Sequence, residues 1–418
     1  MNNALRTAVV LAMAAATAVH AQSRGPAAQY WVDLSTSNFS MPGMPEDGAA
    51  AGLLGGLMGG NSFGGSMGMG ARGKSMDTEL YVRAHPSGVE GTHAIPGGMS
   101  MGPSLLLVPN RPQPAERGTT TRDETPDRGD KPKGRILLYW GCGDTIRPGQ
   151  PKVLDFAKQD YAEFAQFFAS HGGASKGVQG RPGHSLWPNE RDNKRVPDNA
   201  SLEGEHAVSG DGVPATLKFN VGAPYDFLPK VQLTTRGAPK DGVQVSWTGM
   251  QHAKGYFLHA QGAAEGQGGA QDMIFWSSSE KPDNGWSLMT YQSPAQITKL
   301  LQQKVILPPS TVDCKVPKGI FDKAEGAMLN MIAYGNELNV SHPPRPEKAP
   351  ANWQPDWTAR VRIKSTGMTM LGMDESREAQ RSGRGSVTAN EPEGNAAPPS
   401  LQDVVPNPVK LLKGLFGN

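Results

Sequence analysis

Apolar and polar residues alternate in short runs over much of the chain. Gln29 to Ser35 (QYWVDLS) places Tyr30, Val32 and Leu34 on one face, the period-two pattern of a strand with one side buried. The same pattern predicts strands at 79–84, 104–108 and 135–141. A denser series follows at 216–221, 231–235, 243–247, 255–260, 273–276, 311–316, 328–334 and 357–364. Helical spacing is read in three places. Residues 155–168 carry Phe156, Tyr161, Phe164, Phe167 and Phe168, residues 294–304 carry Ile297, Leu300 and Leu301, and residues 408–416 carry Val409, Leu412, Leu415 and Phe416.

The intervals between these runs are polar, glycine-rich or charged. Residues 41–76 form a Gly/Met-rich loop in which glycine recurs at 48, 52, 56, 60, 64 and 68. A helix there would lose about 8 to 10 kcal/mol to glycine relative to alanine, so a loop is expected. Residues 110–134 read as a charged, Pro-rich loop, 177–212 as a long loop and 373–407 as a disordered tail. The fold class predicted is mainly β with a few short helices, in two unequal β-rich domains. These span 22–176 and 213–372, and the second is sandwich-like.

The second domain carries a resemblance. VQVSW at 243–247 is followed nine residues after Trp247 by Tyr256 of GYFLHA, and LNMIAYGNE at 329–337 comes later. Over about residues 214–341 this resembles fibronectin type III and related immunoglobulin-like sandwiches. VQVSW and GYFLHA stand for the second and third strands and LNMIAYGNE for a late core strand. The sequence departs from the family by having Ala327 where a tyrosine is expected early in that late strand, and by inserting a helix. The resemblance implies a scaffold with a possible binding role rather than an activity.

Residues 1–21 read as a secretory signal peptide. Arg6 precedes an apolar and small run from Ala8 to Ala16, and Val19 and Ala21 offer a small-residue cleavage site before Gln22. An exported protein, periplasmic or extracellular and soluble, is the expectation. In an oxidising compartment Cys142 and Cys314 either form one disulfide or stay apart as two buried thiols. Lysine and arginine number 41 against 39 aspartates and glutamates, with no long run of one sign, which argues against a nucleic-acid partner.

Candidate chemistry is sparse. GGSMG at 64–68 and GMSMG at 98–102 match a nucleophile-elbow spacing, but glycine and proline surround both serines where a strand and a helix are required. No histidine pair has the spacing of a metal site. Met67, Met69, Met99 and Met101 are clustered thioethers of the kind that select Cu(I), and they define a copper-binding alternative to a protein without cofactor. Trp276 and Trp286 are expected at loop tips as binding aromatics. Val409, Leu412, Leu415 and Phe416 are expected to touch a membrane surface or a partner. The function expected is a non-enzymatic binding or structural component of the cell envelope, its partner an envelope protein or glycan. Copper binding and an enzyme with a dispersed active site are the alternatives.

Overall fold

The computed structural model describes residues 25–39, 62–66, 72–111, 134–158, 167, 169–173, 177–266, 270–324 and 326–372. It is mainly β. The strands are β1 (Ala28–Phe39), β2 (Gly73–Val82), β3 (Gly91–Ala94), β4 (Ser104–Pro109), β5 (Arg135–Trp140), β6 (Lys152–Asp155), β7 (Ser185–Trp187) and β8 (Gly204–Gly210). They continue with β9 (Lys218–Val221), β10 (Leu233–Arg236), β11 (Val243–Trp247), β12 (Gly255–Glu265), β13 (Gln271–Ser277), β14 (Asp313–Val316), β15 (Ala327–His342) and β16 (Trp357–Leu371). Helix α1 (Pro294–Gln302) begins where Ser293 accepts a hydrogen bond from the Gln296 amide and Pro294 fills the first turn. Of the expected helix at 155–168, Phe156–Lys158 form a 3-10 turn and Phe167 is helical, and the residues between them lie outside the described residues.

Two sheets form. Thirteen strands join in the order β6-β5-β13-β12-β15-β16-β1-β2-β7-β4-β3-β8-β9, and three in the order β10-β11-β14. The hydrogen bonding does not divide at 177–212. β1 runs parallel to β16 and β5 parallel to β13, so strands from both halves of the sequence interleave in one sheet. Residues 177–212, expected as a loop, hold β7 and β8. Residues 73–76, expected in the Gly/Met-rich loop, open β2. GKSM at the head of β2, SLW in β7 and GEHAVSG in β8 hold one β-branched residue among them, so the alternation that marks a strand in sequence is missing there.

The small sheet packs on the large one. Val243, Val245 and Trp247 of β11 share one core with Tyr256, Leu258 and Ala260 of β12, and Trp247 meets Tyr256 edge-on at 5.5 Å. Cys142, just past β5, is bonded to Cys314 in β14 with their Cα atoms 5.4 Å apart, which ties the two sheets.

At its other end the large sheet curls back on itself. β1 and β3 are four places apart in the order, which in a flat sheet would separate them by about 19 Å. Yet Tyr30 of β1 and His93 of β3 are hydrogen-bonded at 2.7 Å. The curled strands and the sandwich therefore share a single core, in which Tyr30, Val32, Leu80, Val361 and Phe219 are all buried.

Candidate functional site: a buried polar face on the long sheet

The opposite face of β2, β1, β16 and β15 is polar, and pairing aligns it in rows. Glu79, Trp31, Arg360 and Asn339 form one row across the four strands. Asp77, Asp33, Arg362 and Glu337 form the next, and Ser75, Ser35, Lys364 and Tyr334 the third. A β-bulge between Tyr334 and Glu337 keeps both side chains on this face. The bulge requires glycine, because a Cβ on Gly335 would lie 2.8 Å from Cβ of Ile363.

Alternating charged positions on a strand ordinarily face water, but here they are covered. Asp33, Asp77, Glu79, Arg362 and Lys364 are all buried. Asp33 grips Arg362 with both oxygens, Arg362 Nε donating to Oδ1 at 2.7 Å and Nη2 to Oδ2. Tyr291 lies across this pair, its ring centroid 4.4 Å from the Arg362 guanidinium carbon. Its hydroxyl donates to the Leu34 carbonyl at 2.9 Å. Burial works against the guanidinium's charge and the Asp33 carboxylate prevails, so Arg362 is held above its usual value.

The carboxylates also pin down the covering segments. Asp77 accepts from the amides of Gly64 and Ser66, and burial raises its carboxyl to about 6. Glu79 accepts from the amides of Gln179 and Gly180 and from Arg181, and His184 Nδ1 lies 2.6 Å from it. Burial would raise Glu79, but these donors outweigh it and hold the carboxyl low. Gly177 must be glycine, since a Cβ there would fall 1.9 Å from an Arg362 nitrogen. Toward the open end, Arg181 caps the half-buried Trp31 ring at 5.2 Å and His184 stacks near it at 5.9 Å.

Lys364 is the exception. It is fully buried, and its Nζ has no hydrogen-bond acceptor among the described residues; the Tyr291 ring at 4.9 Å is its neighbour. Burial lowers the ammonium from 10.5 to about 8, against the attraction of Asp33. That displacement corresponds to about 3 kcal/mol of preference for the neutral amine. Because the folded value lies below the unfolded one, the penalty is full below pH 8 and fades as the pH rises toward 10.5. Lys364→Met is therefore expected to be more stable than the parent at pH 7, by about 1 to 3 kcal/mol. The gap should narrow in urea melts at pH 9.5. A methionine variant less stable at pH 7 would contradict this reading.

No family model, curated protein or solved structure matches the chain.

The sequence-predicted candidates do not meet at this face. Trp276, expected at a loop tip, is instead a fully buried core residue of β13 whose indole donates to the Gly141 carbonyl at 3.0 Å. It lies on the inward phase of its strand, which corrects that expectation. Trp286 is 45% exposed and keeps the accessibility a binding aromatic needs. Met99 and Met101 are buried in the hydrophobic core. Met67, Met69, Val409, Leu412, Leu415 and Phe416 lie outside the described residues.

A serine, a histidine and an aspartate do assemble elsewhere, but in the wrong order for a nucleophile. His171 Nδ1 contacts buried Asp283 at 2.8 Å, while Ser170 Oγ bonds to the same carboxylate at 3.3 Å. A triad places the hydroxyl on the imidazole's other nitrogen, with the carboxylate behind. Here Asp283 also accepts from the amides of His171 and Gly285, so it ties the segment at 170–172 to the turn before Trp286.

Proposed function

We propose that this chain is an exported, non-enzymatic binding or structural protein of the cell envelope, built around a fibronectin-type-III-like sandwich. The observation that carries the reading is the Cys142–Cys314 bond, because it uses both cysteines of the chain, as an oxidising compartment favours. The signal-like segment at 1–21 supports the same compartment. No helix among the described residues is long and apolar enough to cross a membrane.

Strand order supports the scaffold. β10-β11-β14 faces β13-β12-β15-β16, every adjacent pair within each group is antiparallel, and VQVSW and GYFLHA occupy neighbouring strands of opposite sheets. Fibronectin type III sandwiches distribute their strands over two antiparallel sheets. The binding role is supported by what the polar face does with its charges. Its carboxylates hold Arg362 and the loops at 62–66 and 177–184, so they serve to fix a surface around Trp31 and Arg181. An envelope protein or a glycan is the partner class.

The test is fractionation of cells expressing the full chain beside a chain lacking residues 2–21. The full chain is expected outside the cytoplasm, shortened at its N-terminus, with both thiols resistant to alkylation until reduced. A full chain retained in the cytoplasm with two reactive thiols would overturn the proposal.

A further inference from the structure

Two histidines are buried where the sheet curls, and the polar face plays no part in holding them. Tyr30 Oη lies 2.7 Å from His93 Nδ1, His93 Nε2 lies 2.9 Å from His206 Nδ1, and His206 Nε2 lies 2.8 Å from the Leu202 carbonyl. The carbonyl accepts only, so it fixes the direction of the whole chain. His206 carries its proton on Nε2 and accepts at Nδ1 from His93 Nε2–H, and His93 accepts at Nδ1 from the tyrosine hydroxyl. Both imidazoles are neutral in this arrangement. Phe219 closes the stack, its ring 5.0 Å from His206 and tilted by only 9°.

The rings are fully buried, and among the described residues no carboxylate is hydrogen-bonded to either; Asp226 is committed to the Ser201 hydroxyl and the Leu202 amide. Asp33 of β1 and Asp77 and Glu79 of β2 project from the opposite side of the sheet. Glu205 of β8 and Lys218 of β9 are exposed, and Lys74 of β2 is committed to the Ala200 carbonyl. A first proton on His93 Nδ1 turns that nitrogen into a donor, so the tyrosine hydroxyl must rotate and accept from it, and the proton leaves an uncompensated charge in the core. A second proton would set two N–H groups head to head. Burial accordingly lowers both histidines, His93 further through the proximity of His206.

We infer that Tyr30, His93 and His206 form an acid-sensitive clasp that holds the curled strands β3, β8 and β9 against β1 at neutral pH and releases them in mildly acidic surroundings. Unfolded histidines bind protons near 6.5, whereas the folded ones resist until lower pH. Stability contributed by the clasp is thus complete above about 6.5 and is lost as pH falls. Release is local, because β12, β15 and β16 of the sandwich lie beyond β1 and β2 in the sheet order.

Amide hydrogen exchange on the full chain at pH 7.5 and 5.0, corrected for the intrinsic rate, tests this. Amides of β3 and β8 are expected to lose at least tenfold protection at pH 5.0 while those of β12 and β15 keep theirs. A triple variant Tyr30→Phe, His93→Met and His206→Met is expected to show equal β3 and β8 protection at both pH values. Should that variant not fold, nitrogen-15 spectra of the parent decide the matter. Both side chains should be neutral Nε2–H tautomers at pH 7.5, with imidazolium signals arising only together with loss of β3 protection. Unchanged β3 and β8 protection at pH 5.0, or imidazolium within a fully protected β3 and β8, would overturn the clasp.

Discussion

Replacing Cys142 and Cys314 together by alanine is expected to lower the unfolding free energy by about 5 kcal/mol, read as a shifted midpoint in urea melts at pH 7. The bond spans 172 residues, and in the chain-entropy description so long a loop constrains the unfolded chain strongly. Its position adds to the effect. Cys314 sits in β14 at one edge of the small sheet, and Cys142 follows β5, a strand appended to the sandwich by parallel pairing with β13. Among the described residues, two backbone hydrogen bonds join the flanking segments, from Gly143 to Lys315 and from Lys318 to Asp144. Reduction of the parent protein should reproduce the shift. A midpoint unmoved by the double substitution would argue against the bond.

Asp33→Ala is expected to cost about 3 to 5 kcal/mol, because it strands the Arg362 guanidinium beneath Tyr291 with its main counter-charge gone. The same substitution removes the acceptor for the Val178 amide, loosening the segment that covers the pair. Adding Arg362→Met to Asp33→Ala should recover most of the loss, since an apolar side chain of similar length needs no partner there. Thermal and urea melts of both single variants and the double variant give the coupling. Additive losses would mean that the two side chains stabilise the sheet independently.

Long strands were legible from their alternation. Tyr30, Val32 and Leu34 face inward as the period-two pattern predicts, and Val243, Val245 and Trp247 do the same. Helix α1 was legible because Ser-Pro starts it and Ile297 and Leu300 share its buried face. The polar face was not. In β16 the residues Arg360, Arg362 and Lys364 alternate with Val361 and Ile363, which in a single strand signifies a wet side. Recognising them as covered requires knowing that Asp33 lies level with Arg362 on a parallel neighbour, and that register spans 329 residues. His93 and His206 were obscure for a related reason. Their contact arises from the curling of a sheet, and neither residue's local spacing records it. Trp276 was misplaced because a tryptophan beside a serine-rich turn looks the same in sequence whether it ends a strand inward or outward.

The parallel partnership of β1 with β16 fixes the order in which this molecule can be completed. β1 is made early and finds its β2 neighbour nearby, but its other edge stays open until the segment ending at Leu371 has been synthesised. Pairings so remote in sequence assemble slowly. For as long as translation lasts, a hydrophobic ribbon containing Tyr30, Trp31 and Val32 waits with one side exposed, as adhesive to a foreign strand as to its own. Whatever escorts the nascent polypeptide must shield that margin until the final rung is in place.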